Sequence, residues 1–248
     1  MKKIHSIVKK IIIVFLASAV LLMAALILLP PQPELSRDGV SFDFKQVSQA
    51  ESDKIVAFME VKFIKNKPRE HGIKSFDISS NGLIAIACDP FYMDKTVCVY
   101  DQNANFLYGY ELGSPRSIHS VSWVEEKLVI CSLDGDAIFL DSNGNVLGVC
   151  FVQNWSEIEN TLKHATVKTV GEYQYVASND GMGVLSFFND SYCKLYKRDD
   201  VGTEVVIYDV TLQKIIVTII SVVVICGIFA IGIVFAIKAA KKYSTNKQ

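Results

Sequence analysis

Apolar and polar residues alternate with a period of two through much of residues 31–213, which is the periodicity of a half-buried β-strand. Apolar runs such as Leu83–Cys88 and Leu128–Cys131 are separated by clusters of Gly, Asn and Asp. Because these residues favour tight turns, the pattern predicts many short strands joined by hairpins. One helix is predicted at Glu157–Lys163, where Ser156 stands at the capping position with a Glu three residues later.

The strand pattern repeats along the chain. Each copy has a strand, a polar turn, a second strand, a turn rich in Asp and Asn, and a third strand. The copies span 82–107, 127–147 and, more loosely, 173–195. The Asp of the second turn recurs after 40 residues, from Asp101 to Asp141, and the third copy is expected to place Asn189 there. An all-strand repeat of 40 to 50 residues is typical of propeller blades.

The two turn segments carry a family resemblance. Residues 99–107 (VYDQNANFL) and 139–147 (FLDSNGNVL) are similar to blades of bacterial β-propeller repeats of the NHL or quinoprotein-like kind. The resemblance covers roughly 71–199 and implies an all-β, propeller-like domain. Three copies are too few for a ring, because propellers typically have four to eight blades. Strands at 39–65 and 204–210 could supply another, so we expect about four blades or an incomplete ring.

Both ends of the chain contain a long apolar run. The runs at 11–29 and 215–237 lack ionisable residues and are long enough to cross a bilayer as helices. Lysines flank the outer side of each, and the positive-inside rule then places both chain ends in the cytoplasm. A cleaved signal peptide is the alternative for the first run. We therefore predict a two-pass protein of the cell membrane with an extracellular central domain.

This prediction divides the chain into six parts. They are a cytoplasmic tail at 1–10, a transmembrane helix at 11–29, a Pro-rich linker at 30–36, an extracytoplasmic β-propeller-like domain at 37–213, a transmembrane helix at 215–237 and a second cytoplasmic tail at 238–248. The second helix carries small residues four positions apart, which offer a face for a helix-mediated oligomer. That face would consist of Cys226, Ala230, Gly232 and Ala236.

The distribution of charge narrows the class of partner. The chain has 25 basic and 26 acidic residues, a net charge of −1. Residues 1–30 and 215–248 contain no acid and four lysines each, so the central domain is acidic. A nucleic-acid binder would carry a basic folded part, and the sequence therefore argues against nucleic acid as a partner. The predicted partners are the lipid bilayer and a membrane or envelope protein or surface polymer.

Motifs for catalysis or metal binding are weak. The spacing of Asp141, Asn143 and Asn145 resembles the start of a calcium loop, but Val146 and Val152 replace its Gly and its bidentate Glu. A hairpin turn is the favoured interpretation. No nucleophile elbow, phosphate loop or metal-ligand histidine spacing occurs in the sequence. We therefore predict no catalytic residue, no metal site and no cofactor.

Two interpretations are open for the cysteines, as a disulfide or as free thiols, and two for the histidines, as a shared site or as separate loop residues. Cys88 and Cys98 flank one hairpin and could pair, but an odd number of cysteines at apolar strand positions favours free thiols. His71, His119 and His164 each precede the first strand of a copy. They could converge on one face of a ring, whereas separate loop positions are the favoured interpretation.

Aromatic residues supply the candidate contact surface. Phe91 and Tyr92 lie in an insertion that the sister copies lack, and Trp123 and Trp155 are the two tryptophans. Exposed aromatics on loops favour binding, and packing in the core is the equal alternative. The first hypothesis for function is thus a membrane-anchored binding or scaffolding module. A sensor acting through partner helices is the second, and an envelope hydrolase or lyase the third.

Overall fold

The computed structural model describes residues 34–88, 95–113, 118–182 and 191–245. The chain divides into two compact units, one ending at Val210 and one starting at Thr211. Several predictions lie outside the described residues: the tail at 1–10, the helix at 11–29, the linker up to Pro33, and the residues Phe91, Tyr92 and Asn189.

The first unit contains fourteen strands in its described residues. In chain order they are β1 (Phe44–Gln46), β2 (Val61–Ile64), β3 (Ile73–Ile78), β4 (Ile84–Cys88), β5 (Lys95–Tyr100), β6 (Phe106–Leu112), β7 (Ile118–Val124), β8 (Lys127–Ser132), β9 (Asp136–Leu140), β10 (Val146–Val152), β11 (Val167–Val170), β12 (Tyr173–Ser178), β13 (Lys194–Arg198) and β14 (Glu204–Asp209). They form three antiparallel sheets, each built on a four-stranded meander that we call a blade. Blade 1 is β3 to β6, blade 2 is β7 to β10, and blade 3 is β11 to β14. The predicted all-β, propeller-like fold is thereby confirmed for this unit.

The strands expected to build a fourth blade are distributed differently. Strand β1 adds to β10 at the outer edge of blade 2, and β2 adds to β6 at the outer edge of blade 1. Strand β14 is the fourth strand of blade 3. In the described part of the chain, residues 39–65 and 204–210 therefore extend or complete three blades and do not form another.

Residues 49–59 are helical, although the sequence pattern assigned strands to this region. Helix α1 (Gln49–Met59) begins after Ser48, whose hydroxyl accepts a hydrogen bond from the Glu51 amide at 3.3 Å. Such a cap satisfies an amide that has no partner within the helix. The helix ends at Glu60, which adopts a left-handed conformation with φ of 46°. Capping at Ser48 thus outweighs the strand-like appearance of the following apolar residues.

The predicted helix after residue 155 is present, but its cap is different. Helix α2 (Trp155–His164) places Ser156 inside the first turn, and Asn154 is the capping residue. The Asn154 side chain makes no capping bond. It accepts from the amide of Asp43 at 3.0 Å and donates to the carbonyl of Ser41 at 2.9 Å. The predicted capping box is therefore wrong, because Asn154 fastens the chain near β1 to the start of α2.

Blades 1 and 2 share the main hydrophobic core. Fully buried side chains from both, including Val97, Tyr110, Ile130 and Leu140, belong to one cluster. A second cluster joins the other face of blade 2 to helix α2 through Trp155, Ile158 and Leu162. Burial of this apolar area is the dominant stabilising term for such a domain.

The second unit is one helix, α3 (Thr211–Thr245), of 35 residues. Many of its described apolar side chains are exposed, among them Ile220, Val223 and Phe235. Within the described residues, no helix reaches the length and hydropathy that a membrane crossing requires. The predicted span at 215–237 therefore has no support from the described residues.

Candidate functional site

Residues 34–38 insert between the first strands of the three blades. Arg37 donates to the hydroxyls of Ser75 on β3 and Ser122 on β7, and to the carbonyl of Phe76. Its own amide donates to Val167 of β11 at 2.8 Å. One short segment therefore contacts all three blades at their inner strands.

A second set of bonds surrounds this arginine. Asp77 lies 4.0 Å from the Arg37 Nε and accepts from the Trp123 amide at 2.8 Å. The Lys168 Nζ lies 3.8 Å from Asp77 and 3.9 Å from Asp38. We call Arg37, Asp77, Ser75, Ser122 and Lys168 the hub. Burial lowers the pKa of the Arg37 guanidinium, and the charge of Asp77 opposes that shift. The hub is a paired, buried cluster that joins the blades, as expected of a structural ion pair.

The Asp-rich turns form three equivalent hairpin loops at the ends of the last two strands of each blade. Asp101 accepts from the amides of Asn103 and Asn105, and Asp141 accepts from those of Asn143 and Asn145. The side-chain amides of Asn105 and Asn145 donate to Asp101 and Asp141. Together with the backbone amides, these bonds hold the pKa of both carboxyls below its usual value. The turn interpretation of these residues is thus the one that the structure shows.

Blade 3 has the same turn at Asp199, ten residues beyond the predicted position. The Asp199 carboxylate accepts from the Thr203 amide at 2.7 Å, and Gly202 has a φ of 85°. In blade 2, Gly144 occupies the matching place with a φ of 97°. The recurring Asp-x-x-Gly pattern of 141–144 and 199–202 was a sequence signal for this repeat, and the choice of Asn189 overlooked it.

A cleft of about 500 Å³ lies between blade 3 and the Asp101 turn of blade 1. Its lining includes Tyr173 and Lys197. The Lys197 ammonium lies 3.5 Å from the centre of the tyrosine ring. This distance is that of a cation–π contact. Val205 and Val206 of β14 line the same cleft and are 59% and 51% exposed. We call Tyr173, Lys197, Val205 and Val206 the blade 3 patch.

Strand β14, which contributes Val205 and Val206 to this patch, is an edge strand. Blades 1 and 2 each continue beyond their fourth strand, with β2 on β6 and β1 on β10. Within the described residues, no strand continues blade 3 beyond β14. An edge strand presents unpaired backbone groups, and proteins usually protect such edges with lysine, proline or a covering element. Strand β14 contains neither lysine nor proline.

The two tryptophans predicted as contacts pack inside the domain to different extents. Trp155 is 8% exposed, and its indole donates to the carbonyl of Leu133 at 3.1 Å. The ring thus packs in the second core cluster and anchors α2 to blade 2. Trp123 is half-buried against the main core. Its backbone amide donates to the carboxylate of Asp77, which lies 46 residues earlier in the sequence. The structure brings neither ring to the blade 3 patch.

The histidines and cysteines do not assemble a reactive centre in the described residues. His119 lies inside β7 with its ring 4.9 Å from that of Trp155, and burial lowers its pKa. Four of the five cysteines of the first unit are buried, and Cys88, Cys98, Cys131 and Cys150 form no disulfide. Burial raises the pKa of Cys88 to about 11 and that of Cys131 to about 12, so these thiols stay protonated at neutral pH. No cluster of three potential metal ligands occurs among the described residues.

Comparison with known proteins gives a remote structural likeness. No protein-family model and no curated protein matches the chain. The crystal structure of the Saccharomyces cerevisiae Sqt1 matches 59% of this chain and 34% of its own, with 17% identity and a TM-score of 0.27. A chain of the mitotic checkpoint complex matches 74% of this chain and 45% of its own, with 12% identity and a TM-score of 0.27. The chain thus spans less than half the length of either structure, and scores this low carry no further conclusion.

Proposed function

We propose that this protein is a binding module whose blade 3 patch takes a polypeptide partner. The observation that carries the proposal is the combination of an edge strand, β14, with two exposed valines and an open cleft beside it. Isolated apolar residues on a surface are ordinary, but an apolar edge strand next to a concavity is a typical interaction site. Tyr173 and Lys197, which line the cleft, add an aromatic ring and a cation that favour protein contacts.

A polypeptide suits the patch better than a sugar polymer or a reacting substrate. Exposed backbone groups along β14 match the repeat of another extended chain. Among the described residues that line the cleft, Asp199 is the one carboxylic acid, whereas glycoside hydrolysis needs two carboxylic acids flanking the bond. Turnover of an envelope polysaccharide by the purified chain would contradict the proposal.

We further propose that the module is held at the outer face of the cell membrane by its two apolar runs. The support is the sequence: residues 215–237 are uninterrupted by any ionisable side chain, and lysines follow them. A sensor acting through partner helices remains a variant of the same arrangement, with the blade 3 patch as its input.

Membrane topology is tested with single cysteines in the full chain. Ser142 lies exposed in the Asp141 turn, and a thiol-specific reagent that cannot cross the membrane should label Ser142→Cys in intact cells. Ser244→Cys should react only after the cells are opened, because it follows the second run. The chain without either substitution is the background control, since Cys150 is half-buried and the other four cysteines of the first unit are buried. Labelling of Ser244→Cys alone in intact cells would reverse the topology.

Binding is tested with a photoreactive amino acid on equivalent positions of the three blades. Val205, Leu147 and Leu107 each follow their turn aspartate by six residues and are 59%, 49% and 44% exposed. We expect a probe at Val205 to crosslink a polypeptide in living cells, since Val205 lines the cleft and Leu147 and Leu107 do not. Probes at Leu147 and Leu107 are matched controls. Equal yields at all three positions, or none at Val205, would contradict the proposal.

A further inference from the structure

Two of the three blades are extended by a strand from elsewhere in the chain. Strand β2 pairs antiparallel with β6, with Val61 opposite Leu112 and Ile64 opposite Gly109. Strand β1 pairs antiparallel with β10, with Phe44 opposite Val152. The fold therefore uses strand addition at this edge twice, and β14 occupies the equivalent edge of blade 3.

The irregularity within β14 does not distinguish it from the covered edges. The pairing of β14 with β13 shifts register between Leu195 and Tyr196. The same kind of shift occurs between Val99 and Tyr100 next to β6, and between Val146 and Gly148 in β10. In β6 and β10 the added strand pairs with the residues that follow the shift, Gly109–Leu112 and Cys150–Val152, so a strand with a bulge still offers a regular stretch for strand addition.

The charges at β14 indicate what kind of strand fits. The strand begins at Glu204 and ends at Asp209, with Asp199 and Asp200 in the turn before it. Asp209 has the Lys194 Nζ at 3.7 Å. Each strand that covers another blade contains a lysine: Lys62 lies between Val61 and Phe63 in β2, opposite Glu111, and Lys45 follows Phe44 in β1, opposite Phe151. Opposite charges across a strand pair stabilise it, and like charges destabilise it.

The same charges disfavour a second copy of β14 as the occupant. In the full antiparallel self-pairing, Glu204 of one chain would face Asp209 of the other at both ends of the strand. Two like-charge pairs would oppose that dimer. A different polypeptide with basic residues at those positions meets no such opposition.

We propose that the partner adds an antiparallel strand to β14 through an extended segment that carries Lys or Arg at both ends and two adjacent apolar residues between them. The inference rests on the proposed function and specifies its partner. In the register that places a basic residue opposite Glu204 and another opposite Asp209, apolar side chains lie opposite Val205 and Val206. Backbone hydrogen bonds supply the affinity, and the valines and acids supply the preference for sequence.

The probe is a fluorescent peptide, Lys-Val-Lys-Phe-Ile-Lys, that extends the pattern of Val61–Ile64. We expect it to bind the full chain with a Kd of about 10–100 μM by fluorescence anisotropy, as for a short strand without further contacts. Methylation of alternate backbone amides on its pairing edge should weaken binding at least about tenfold, because it removes hydrogen bonds and leaves the side chains unchanged. The Glu-Val-Glu-Phe-Ile-Glu peptide should also bind at least about tenfold more weakly.

A substitution in the protein provides the reciprocal test. Glu204→Lys should weaken the basic peptide about tenfold and strengthen the acidic one, a reversal that loss of folding does not produce. The matched control is Glu172→Lys, since Glu172 is exposed on the same blade and lies outside β14. Equal binding of the methylated and unmethylated peptides would overturn strand addition.

The failure of this inference is distinguishable from that of the proposed function. A polypeptide crosslinked from Val205, together with equal binding of the methylated peptide, leaves a binding module but removes the strand mechanism. Absence of any crosslink from Val205 removes both. If the crosslinked species is a second copy of this chain, the charge argument is wrong and β14 pairs with itself.

Discussion

Replacing Arg37 with methionine is expected to lower the free energy of unfolding of the first unit by about 3 kcal/mol or more. The guanidinium is 4% exposed and contacts Ser75, Phe76 and Ser122 as well as Asp77. Removing one partner of a buried ion pair leaves the other charge uncompensated, at a cost of roughly 3–5 kcal/mol. Lys168 remains near Asp77, which favours the lower end of that range.

The Arg37 prediction is measured by urea denaturation of the full chain followed by tryptophan fluorescence. Both tryptophans lie in the first unit, so the signal reports this unit. Arg198→Met is the matched control, because Arg198 pairs with Glu34 at 3.0 Å on the surface, where such a pair contributes about 1 kcal/mol or less. A loss for Arg37→Met no larger than that for Arg198→Met would show that the hub does not hold the blades together.

Replacing Trp155 with alanine is expected to lower the free energy of unfolding by about 3–5 kcal/mol, as for large aromatic residues in a core. The ring packs with Val152, Ile158 and Leu162, and its edge meets His119. Its loss would leave a cavity between blade 2 and α2 and would leave the Leu133 carbonyl without its indole donor. Fluorescence of Trp123 follows unfolding in this variant.

Tyr173→Ala is the control for Trp155→Ala. Tyr173 is 40% exposed in the blade 3 patch, so its removal should change stability by about 0.5 kcal/mol or less. The substitution should instead weaken binding of the partner, as truncation of interface aromatics does. The opposite pattern, a stable Trp155→Ala variant that loses its partner, would make Trp155 a contact residue and would contradict its place in the core.

The sequence predicted features that depend on local rules and missed those that depend on distant contacts. The turns at Asp101 and Asp141 were predictable, because each aspartate binds amides two and four residues ahead. The helix at Trp155–His164 was predicted from Ser156 and the Glu three residues later, a capping box that the structure does not contain. The cap of α1 at Ser48 was also local, but the apolar residues that follow it suggested a strand more strongly.

The hub and the blade 3 patch were not predictable from periodicity. The Arg37 side chain donates to residues 38 to 85 positions away, and nothing in the sequence pairs them. The patch was missed because the third turn was placed at Asn189, so that β14 was assigned to a fourth blade. With the turn at Asp199, β14 is the last strand of blade 3 and can be recognised as its edge strand.

Amide hydrogen exchange of the full chain with and without the Lys-Val-Lys-Phe-Ile-Lys peptide tests strand addition at blade 3 most directly. Exchange slows where a backbone amide acquires a hydrogen bond. The account predicts slower exchange in β14, Glu204–Asp209, and unchanged exchange at Gly109–Leu112 of β6 and Cys150–Val152 of β10, which β2 and β1 already cover. Unchanged exchange in β14 with the peptide bound, or slower exchange confined to another part of the chain, would contradict it.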